Sequence, residues 1–194
     1  MVYTGFSQNQ PIGNLVKHLL ILLSILLLSS PVIGQSSKKV DLSLLAKELM
    51  LWMQTNCNVS GVHPEHNFCN LNWNHPFPEI TILPQKELSR QFRINNGTVP
   101  DGNDDAIRGF YLPSTNKIYV KDQDYSKIIY QSDIIHELIH YIQEKNGHHF
   151  DCPPHYEVPT YLMQLHFYRK KTGSDATANL IKEYKKDRCN TLYK

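Results

Sequence analysis

The sequence predicts an α+β domain with a small sheet and a helical C-terminal part. Two observations predict this class: short β-type runs lie near the middle of the chain, and apolar residues recur at helical spacing on both sides of them. The chain has 194 residues, of which 41% are apolar, and this suffices for one core of ordinary size. We therefore expect a single domain over residues 41–194, which follows a linker at 35–40.

The N-terminal half predicts two helices and a strand. Apolar residues recur at helical spacing over 41–54, directly behind Asp41, a good helix-capping residue. The stretch 55–78 is rich in Asn, His and Pro, contains two cysteines and predicts a disulfide-held loop. Residues 79–83 (Glu-Ile-Thr-Ile-Leu) form a β-type run that ends at a proline, and a short helix over 85–92 follows.

The C-terminal half predicts a hairpin and three helices. The runs 110–112 and 118–120 flank a Pro-Ser-Thr-Asn segment, an arrangement typical of a β-hairpin. A long helix over 126–146 ends before a glycine, which is a common helix C-cap. We expect two further helices, over 156–171 and 174–186.

Residues 1–34 have the layout of a secretory signal peptide. A positive charge at Lys17 precedes an apolar run of ten residues, 19–28, and small residues lead to Gly34. A membrane-spanning helix needs about 20 apolar residues, which is about twice this run. The segment predicts export, so the mature protein is expected to be secreted or periplasmic. An uncleaved membrane anchor that begins at Leu15 is the alternative.

The four cysteines fit an exported protein. An even number favours disulfides in an oxidising compartment, and none of the four lies in a C-x-x-C pair. Because short loops close at the lowest entropic cost, we expect the pairs Cys57–Cys69 and Cys152–Cys189.

The charge balance disfavours a polyanionic partner. The 20 Lys and Arg residues nearly match the 18 Asp and Glu residues, and the formal net charge is +2. Nucleic-acid-binding domains usually carry a marked basic excess, so we expect no nucleic-acid partner, and no membrane association after signal cleavage. Two glycosylation sequons, at Asn58 and Asn96, matter in a host that glycosylates exported proteins.

The long predicted helix contains an H-E-x-x-H motif, from His136 to His140. Residues of a helix advance by about 100° each, so the two histidines lie about 40° apart on one face and can reach one metal ion. Glu137 lies about 100° round from His136, where it can contact a water on the metal, which is the position of a general base. The apolar residues of this helix lie on the opposite side.

A catalytic zinc ion takes three protein ligands and a water, so the motif requires a third ligand. The metzincin pattern is excluded, because Gln143 and Asn146 stand where it needs a glycine and a histidine. The remaining candidates follow the motif: Glu157, His155, Asp151, His148 and His149. We favour Glu157, because it begins the next helix, which can fold back along the first. Asp151 is the main alternative.

The surroundings of the motif resemble a known family. His-Glu-Leu-Ile-His-Tyr-Ile-Gln begins at His136, and Glu-Val-Pro-Thr-Tyr-Leu-Met-Gln begins at Glu157 after a cysteine-containing loop. Together they resemble a family of uncharacterised, exported, gluzincin-like zinc metallopeptidases. The preceding hairpin is also similar, through Tyr111, Pro113, Ile118 and Tyr119. The resemblance covers roughly residues 79–168.

The resemblance implies a minimal zincin-like domain over 41–194, with the hairpin sheet packed on the H-E-x-x-H helix. It implies one Zn²⁺ per chain, held by His136, His140 and Glu157, with Glu137 as general base. The expected function is a secreted zinc peptidase that acts on peptides or proteins. The alternative is an exported module without catalytic activity that binds a metal or a partner in the same cleft.

Other side chains are candidates for supporting roles. Gln143 lies on the ligand face of the helix, where it is a candidate to hydrogen-bond a metal ligand, the alternative being a polar residue at the rim of the site. An oxyanion needs a nearby donor, for which the candidates are Tyr161, His155 and Tyr111. We further expect residues 117–120 to form the edge of the sheet over the cleft, where an extended peptide can add as a strand.

Overall fold

The computed structural model describes residues 40–97, 102–148 and 153–174. Within these ranges four α-helices and a three-stranded sheet form a mixed α+β fold, which confirms the predicted class. The elements are α1 (Leu42–Thr55), β1 (Glu79–Leu83), α2 (Gln85–Asn96), β2 (Gly109–Leu112), β3 (Lys117–Lys121), α3 (Ile128–Lys145) and α4 (Pro153–Thr172).

Several predictions fall on residues outside the described ranges. They concern the signal peptide at 1–34, the last helix beyond Ser174, and the side chains of Asp151, His149, Cys152 and Cys189. In the described part of the chain, no helix is both long and apolar enough to cross a membrane.

Helix α1 begins at the predicted capping residue. Oδ1 of Asp41 accepts hydrogen bonds from the amides of Ser43 (3.0 Å) and Leu44 (3.2 Å). These bonds satisfy two of the amide groups that the start of a helix leaves without a partner. The apolar face of α1 enters the main core through Leu45, Ala46, Leu49 and Met53.

The predicted disulfide Cys57–Cys69 is present, and it closes the loop that follows α1. Cys69 belongs to a short 3₁₀ turn, Phe68–Asn70, in which Phe68 is almost completely buried. The bridge therefore fixes a core residue that no long element carries. A disulfide of this kind is consistent with an oxidising, exported environment.

The sheet has the order β1-β3-β2. Strand β3 pairs antiparallel with β2, which confirms the predicted hairpin, and parallel with β1. The prediction that residues 117–120 form the sheet edge over the cleft is wrong. Parallel strands need a crossover connection, and the segment containing α2 places β1 on the other side of β3. Strand β2 is an edge strand instead, and β3 is central.

Helix α3 carries the motif and packs against strands β2 and β3. Its apolar side is completely buried, as the periodicity predicts, through Ile134, Ile135, Leu138, Ile139 and Ile142. These residues share one core with α1, with Ile118 and Val120 of β3, and with Met163 and Phe167 of α4. Because this side faces the core, the histidines of the motif are directed to the other side.

Two helices are longer than predicted. Helix α2 continues to Asn96, four residues beyond the expected end, because Gly97 with a φ of 86° supplies the C-cap. Helix α4 begins at Pro153, three residues before the predicted start, and continues through Pro159. Proline is well tolerated in the first turn, and burial of Val158 and Thr160 stabilises the helix around Pro159.

Candidate metal centre

Three side chains of the predicted site meet between α3 and α4. The Nε2 atoms of His136 and His140 lie 3.0 Å apart. The carboxylate of Glu157 reaches both, with Oε2 3.2 Å from Nε2 of His136 and Oε1 3.4 Å from Nε2 of His140. One ligand atom of each residue lies within 4.8 Å of the other two. The three residues could therefore hold a metal ion.

The arrangement fits a small tetrahedral ion. Ligand bonds of about 2.0–2.1 Å place neighbouring donors of a tetrahedron about 3.3–3.4 Å apart, close to the separations seen here. The carboxylate of Glu157 lies within ion-pair distance of both imidazoles, so one negative charge faces the two nitrogen donors. A bound cation would interact favourably with this carboxylate.

Two glutamines orient the imidazoles. Oε1 of Gln164 lies 3.3 Å from Nδ1 of His136, and Oε1 of Gln143 lies 3.2 Å from Nδ1 of His140. An amide oxygen only accepts hydrogen bonds, so each Nδ1 carries a proton, and in the neutral imidazole each Nε2 keeps its lone pair for a metal. Gln143 thus contacts a ligand as predicted. Gln164 is held in turn by a hydrogen bond that it donates to Ser132 (3.2 Å).

The structure connects α4 to α3 next to the site. Nε2 of Gln143 donates to the backbone carbonyl of Tyr156 at 3.2 Å, directly before Glu157. The ring of Tyr156 stacks on His140 at 4.3 Å, and its hydroxyl donates to the carbonyl of His140 at 3.2 Å. These contacts fix the start of α4 and therefore the position of Glu157.

We expect Gln164→Ala to lower the affinity for the metal about 10–100-fold, because His136 loses the partner that orients its ring. Equilibrium titration with a competing chelator measures this affinity. Gln131→Ala is the matched control: Gln131 lies on α3 and donates to the carbonyl of Tyr125, without contact to a ligand. Equal affinities of the two variants would show that Gln164 does not support His136.

Charge coupling between the ligands is strong. Burial alone would lower the pKa of His136, but the adjacent Glu157 carboxylate outweighs it and raises this pKa to about 9. For Glu157, burial would raise the pKa, but the two imidazoles beside it hold the pKa well below its usual range. At neutral pH the metal-free site therefore contains an ionised carboxylate and a protonated His136.

We expect metal binding at pH 7 to release about one proton per chain, because His136 must lose its proton to coordinate. The release should disappear as the pH rises above about 9, where the metal-free imidazole is already neutral. Isothermal titration calorimetry in buffers of different ionisation enthalpy measures the number of protons. Binding without proton release at pH 7 would contradict the protonated state of His136.

Glu137 lies beside the ligands but does not belong to the metal group. Its side chain is buried, and burial raises the pKa of the carboxyl, while the charges of His136 and His140 lower it. Within the described ranges no hydrogen bond or ion pair holds this carboxylate, and Glu137 is one of the residues that line the cleft in front of the ligands.

A cleft of about 190 Å³ opens in front of the site. It contains the three candidate ligands and Glu137, and it is further lined by Phe92, Gly109, Phe110, Tyr111, Pro113 and Tyr156. Three of these lining residues belong to β2, the edge strand. None of the described lining residues is a lysine or an arginine.

The three candidate oxyanion donors, Tyr111, Tyr161 and His155, do not present a free donor to the cleft as clearly as the candidate ligands present their donor atoms to one another. Tyr111 lines the cleft, but its hydroxyl donates to Glu144 at 3.2 Å. Tyr161 lies with its ring tilted against His136 at 4.7 Å. Neither Tyr161 nor His155 is among the described residues that line the cleft. Of the candidate third ligands, Glu157 is the one that joins the histidines in the described part of the chain.

Sequence reasoning missed Gln164 and Tyr156 as site residues. Gln164 lies seven residues after Glu157, which is two helical turns and the same face, so this spacing was a usable signal. Tyr156 gives no such signal, because its role depends on ring stacking across two helices.

Residues 68–191, more than half of the chain, match a protein family described as a domain of unknown function (DUF6647). The chain belongs to this family. No curated protein and no solved structure gives a significant match to the chain.

Proposed function

We propose that the protein is an exported zinc-dependent peptidase of the gluzincin type. The observation that carries the proposal is the convergence of His136, His140 and Glu157 from two helices, with the buried carboxylate of Glu137 beside them in an open cleft. Two imidazoles and a carboxylate are the protein ligands of a common class of catalytic zinc sites.

The donor set supports zinc over other ions. Calcium and magnesium prefer oxygen ligands throughout, whereas this group supplies two nitrogens. Three protein ligands leave a fourth position of a tetrahedron for water or substrate, which distinguishes a catalytic from a structural zinc site. The cleft lies in front of this group, so a substrate can reach it.

In the proposed reaction, a bound zinc ion would lower the pKa of its water and would polarise the scissile carbonyl. Glu137 accepts the proton of the attacking water and later delivers it to the leaving amine. Its burial and lack of hydrogen-bond partners in the described ranges suit this shuttle, because no other group competes for the carboxylate. Gln143 and Gln164 keep the imidazoles in the ligating tautomer.

Strand β2 is the proposed substrate-binding edge. It pairs with β3 on one side, and Gly109, Phe110 and Tyr111 line the cleft. An extended peptide can therefore add to its other side as a further strand, with its main chain crossing the ligand group. The apolar lining favours substrates with uncharged side chains near the scissile bond.

The experiment is hydrolysis of a mixed library of internally quenched peptides by the mature protein, purified from a secreting host. We expect turnover that disappears after dialysis against a chelator and returns with one equivalent of Zn²⁺ but not with Ca²⁺. Bound zinc without hydrolysis of any peptide would contradict the peptidase and favour the module without catalytic activity.

A further inference from the structure

Gly109 lies against the side chain of Glu137 where β2 borders the cleft. A Cβ atom at this position would lie 3.1 Å from Cγ and 3.2 Å from Oε1 of Glu137, and 3.0 Å from the carbonyl oxygen of Tyr119. Ordinary contacts between carbon atoms are about 3.5–4.0 Å long. A methyl group at residue 109 therefore requires the Glu137 side chain or the Tyr119 carbonyl to move by a few tenths of an ångström.

The backbone itself does not require glycine here. Gly109 is not among the residues with positive φ, and it lies in a strand, where glycine weakens the structure. Glycine within a strand often marks a place where another group approaches closely. At this position the approaching group is the Glu137 side chain, together with the carbonyl of the neighbouring strand.

The contact with Gly109 matters because little else fixes the carboxylate. Within the described ranges no hydrogen bond and no ion pair holds Glu137, and 6% of the residue is exposed. Its position is therefore determined by packing. The bare backbone of β2 forms one wall of the space that the carboxylate occupies.

We propose that Gly109 is a positioning residue for Glu137: the missing side chain creates the space from which this carboxylate serves the reaction. The inference rests on the proposed function for its effect on turnover, but not for its structural part. A methyl group at residue 109 displaces the carboxylate by a few tenths of an ångström, and catalytic rates are sensitive to such shifts because a misplacement of about 1 Å costs up to about 100-fold.

The test is Gly109→Ala in the mature protein, with Val120→Ala as the matched control. Val120 is the register partner of Gly109 on β3 and is fully buried. Its truncation therefore perturbs the same pair of strands, but from β3 instead of β2. We expect Gly109→Ala to lower kcat about 10–100-fold with KM and zinc content nearly unchanged. A crystal structure of this variant should show a displaced Glu137 carboxylate. Val120→Ala should lower thermal stability and keep kcat.

Two results would overturn the inference. One is a crystal structure of Gly109→Ala in which Glu137 stays in place and the β2–β3 pairing shifts instead. The other is an equal loss of kcat in Val120→Ala. The double variant Gly109→Ala/Glu137→Gln should be no slower than Glu137→Gln alone, because both changes act through one group. If no variant and no parent protein hydrolyses peptides, the proposed function fails, while the position of Glu137 in the crystal still decides the structural part.

Discussion

Glu137→Gln is expected to reduce the rate of peptide hydrolysis severely and to leave the metal in place. Glutamine has nearly the same shape as glutamate, but its amide cannot accept and deliver a proton at neutral pH. Loss of a general base typically costs about 10²–10⁴-fold in rate. Glu137 is not one of the three candidate ligands, so metal content should stay at the level of the parent protein. Steady-state kinetics and metal analysis of the same samples measure both quantities.

The matched control for this variant is Glu144→Gln. Glu144 lies on the same helix, and its carboxylate accepts a hydrogen bond from Tyr111. The same chemical change outside the ligand group should leave most of the turnover intact. Equal activity of Glu137→Gln and the parent protein would remove Glu137 from the mechanism, and loss of metal in Glu137→Gln would show that this residue is a ligand.

Glu157→Ala is expected to weaken zinc binding more than about 100-fold, which exceeds the usual effect of losing a group that only orients a ligand. The carboxylate supplies both a donor atom and the single negative charge among the three ligands. Its removal also takes away the main group that raises the pKa of His136. Competition with a chelator of known affinity measures the loss.

Asp151→Ala provides the discriminating comparison, because Asp151 was the main alternative for the third ligand. We expect this variant to bind zinc as the parent protein does. If Asp151→Ala loses zinc and Glu157→Ala keeps it, the assignment of the third ligand is wrong, although the two histidines could still bind metal with another partner.

The helical part of the site was predictable because it depends on local periodicity. The spacing of His136 and His140 places both on one face of α3, and the apolar residues between them mark the buried face. The place of Glu157 in the first part of the next helix was predictable from the order of the elements, because α4 can fold back along α3. Capping by Asp41 and the disulfide Cys57–Cys69 also follow from local sequence rules.

The features that sequence reasoning missed depend on contacts between distant segments. The parallel pairing of β1 with β3 joins residues about 38 positions apart, such as Glu79 and Lys117, and nothing in either strand specifies it. The wrong prediction for the sheet edge follows from this. The role of Gly109 also depends on the close contact between β2 and the Glu137 side chain of α3. The sequence of neither element reveals this contact.

The most direct test of the proposed zinc site is X-ray absorption at the zinc edge, combined with metal analysis, on the mature protein reconstituted with Zn²⁺. We expect one zinc per chain, bound by two imidazole nitrogens and by oxygen at about 2.0–2.2 Å, with no sulfur. A folded protein that retains no zinc, or a zinc ion with sulfur or without imidazole ligands, would contradict it.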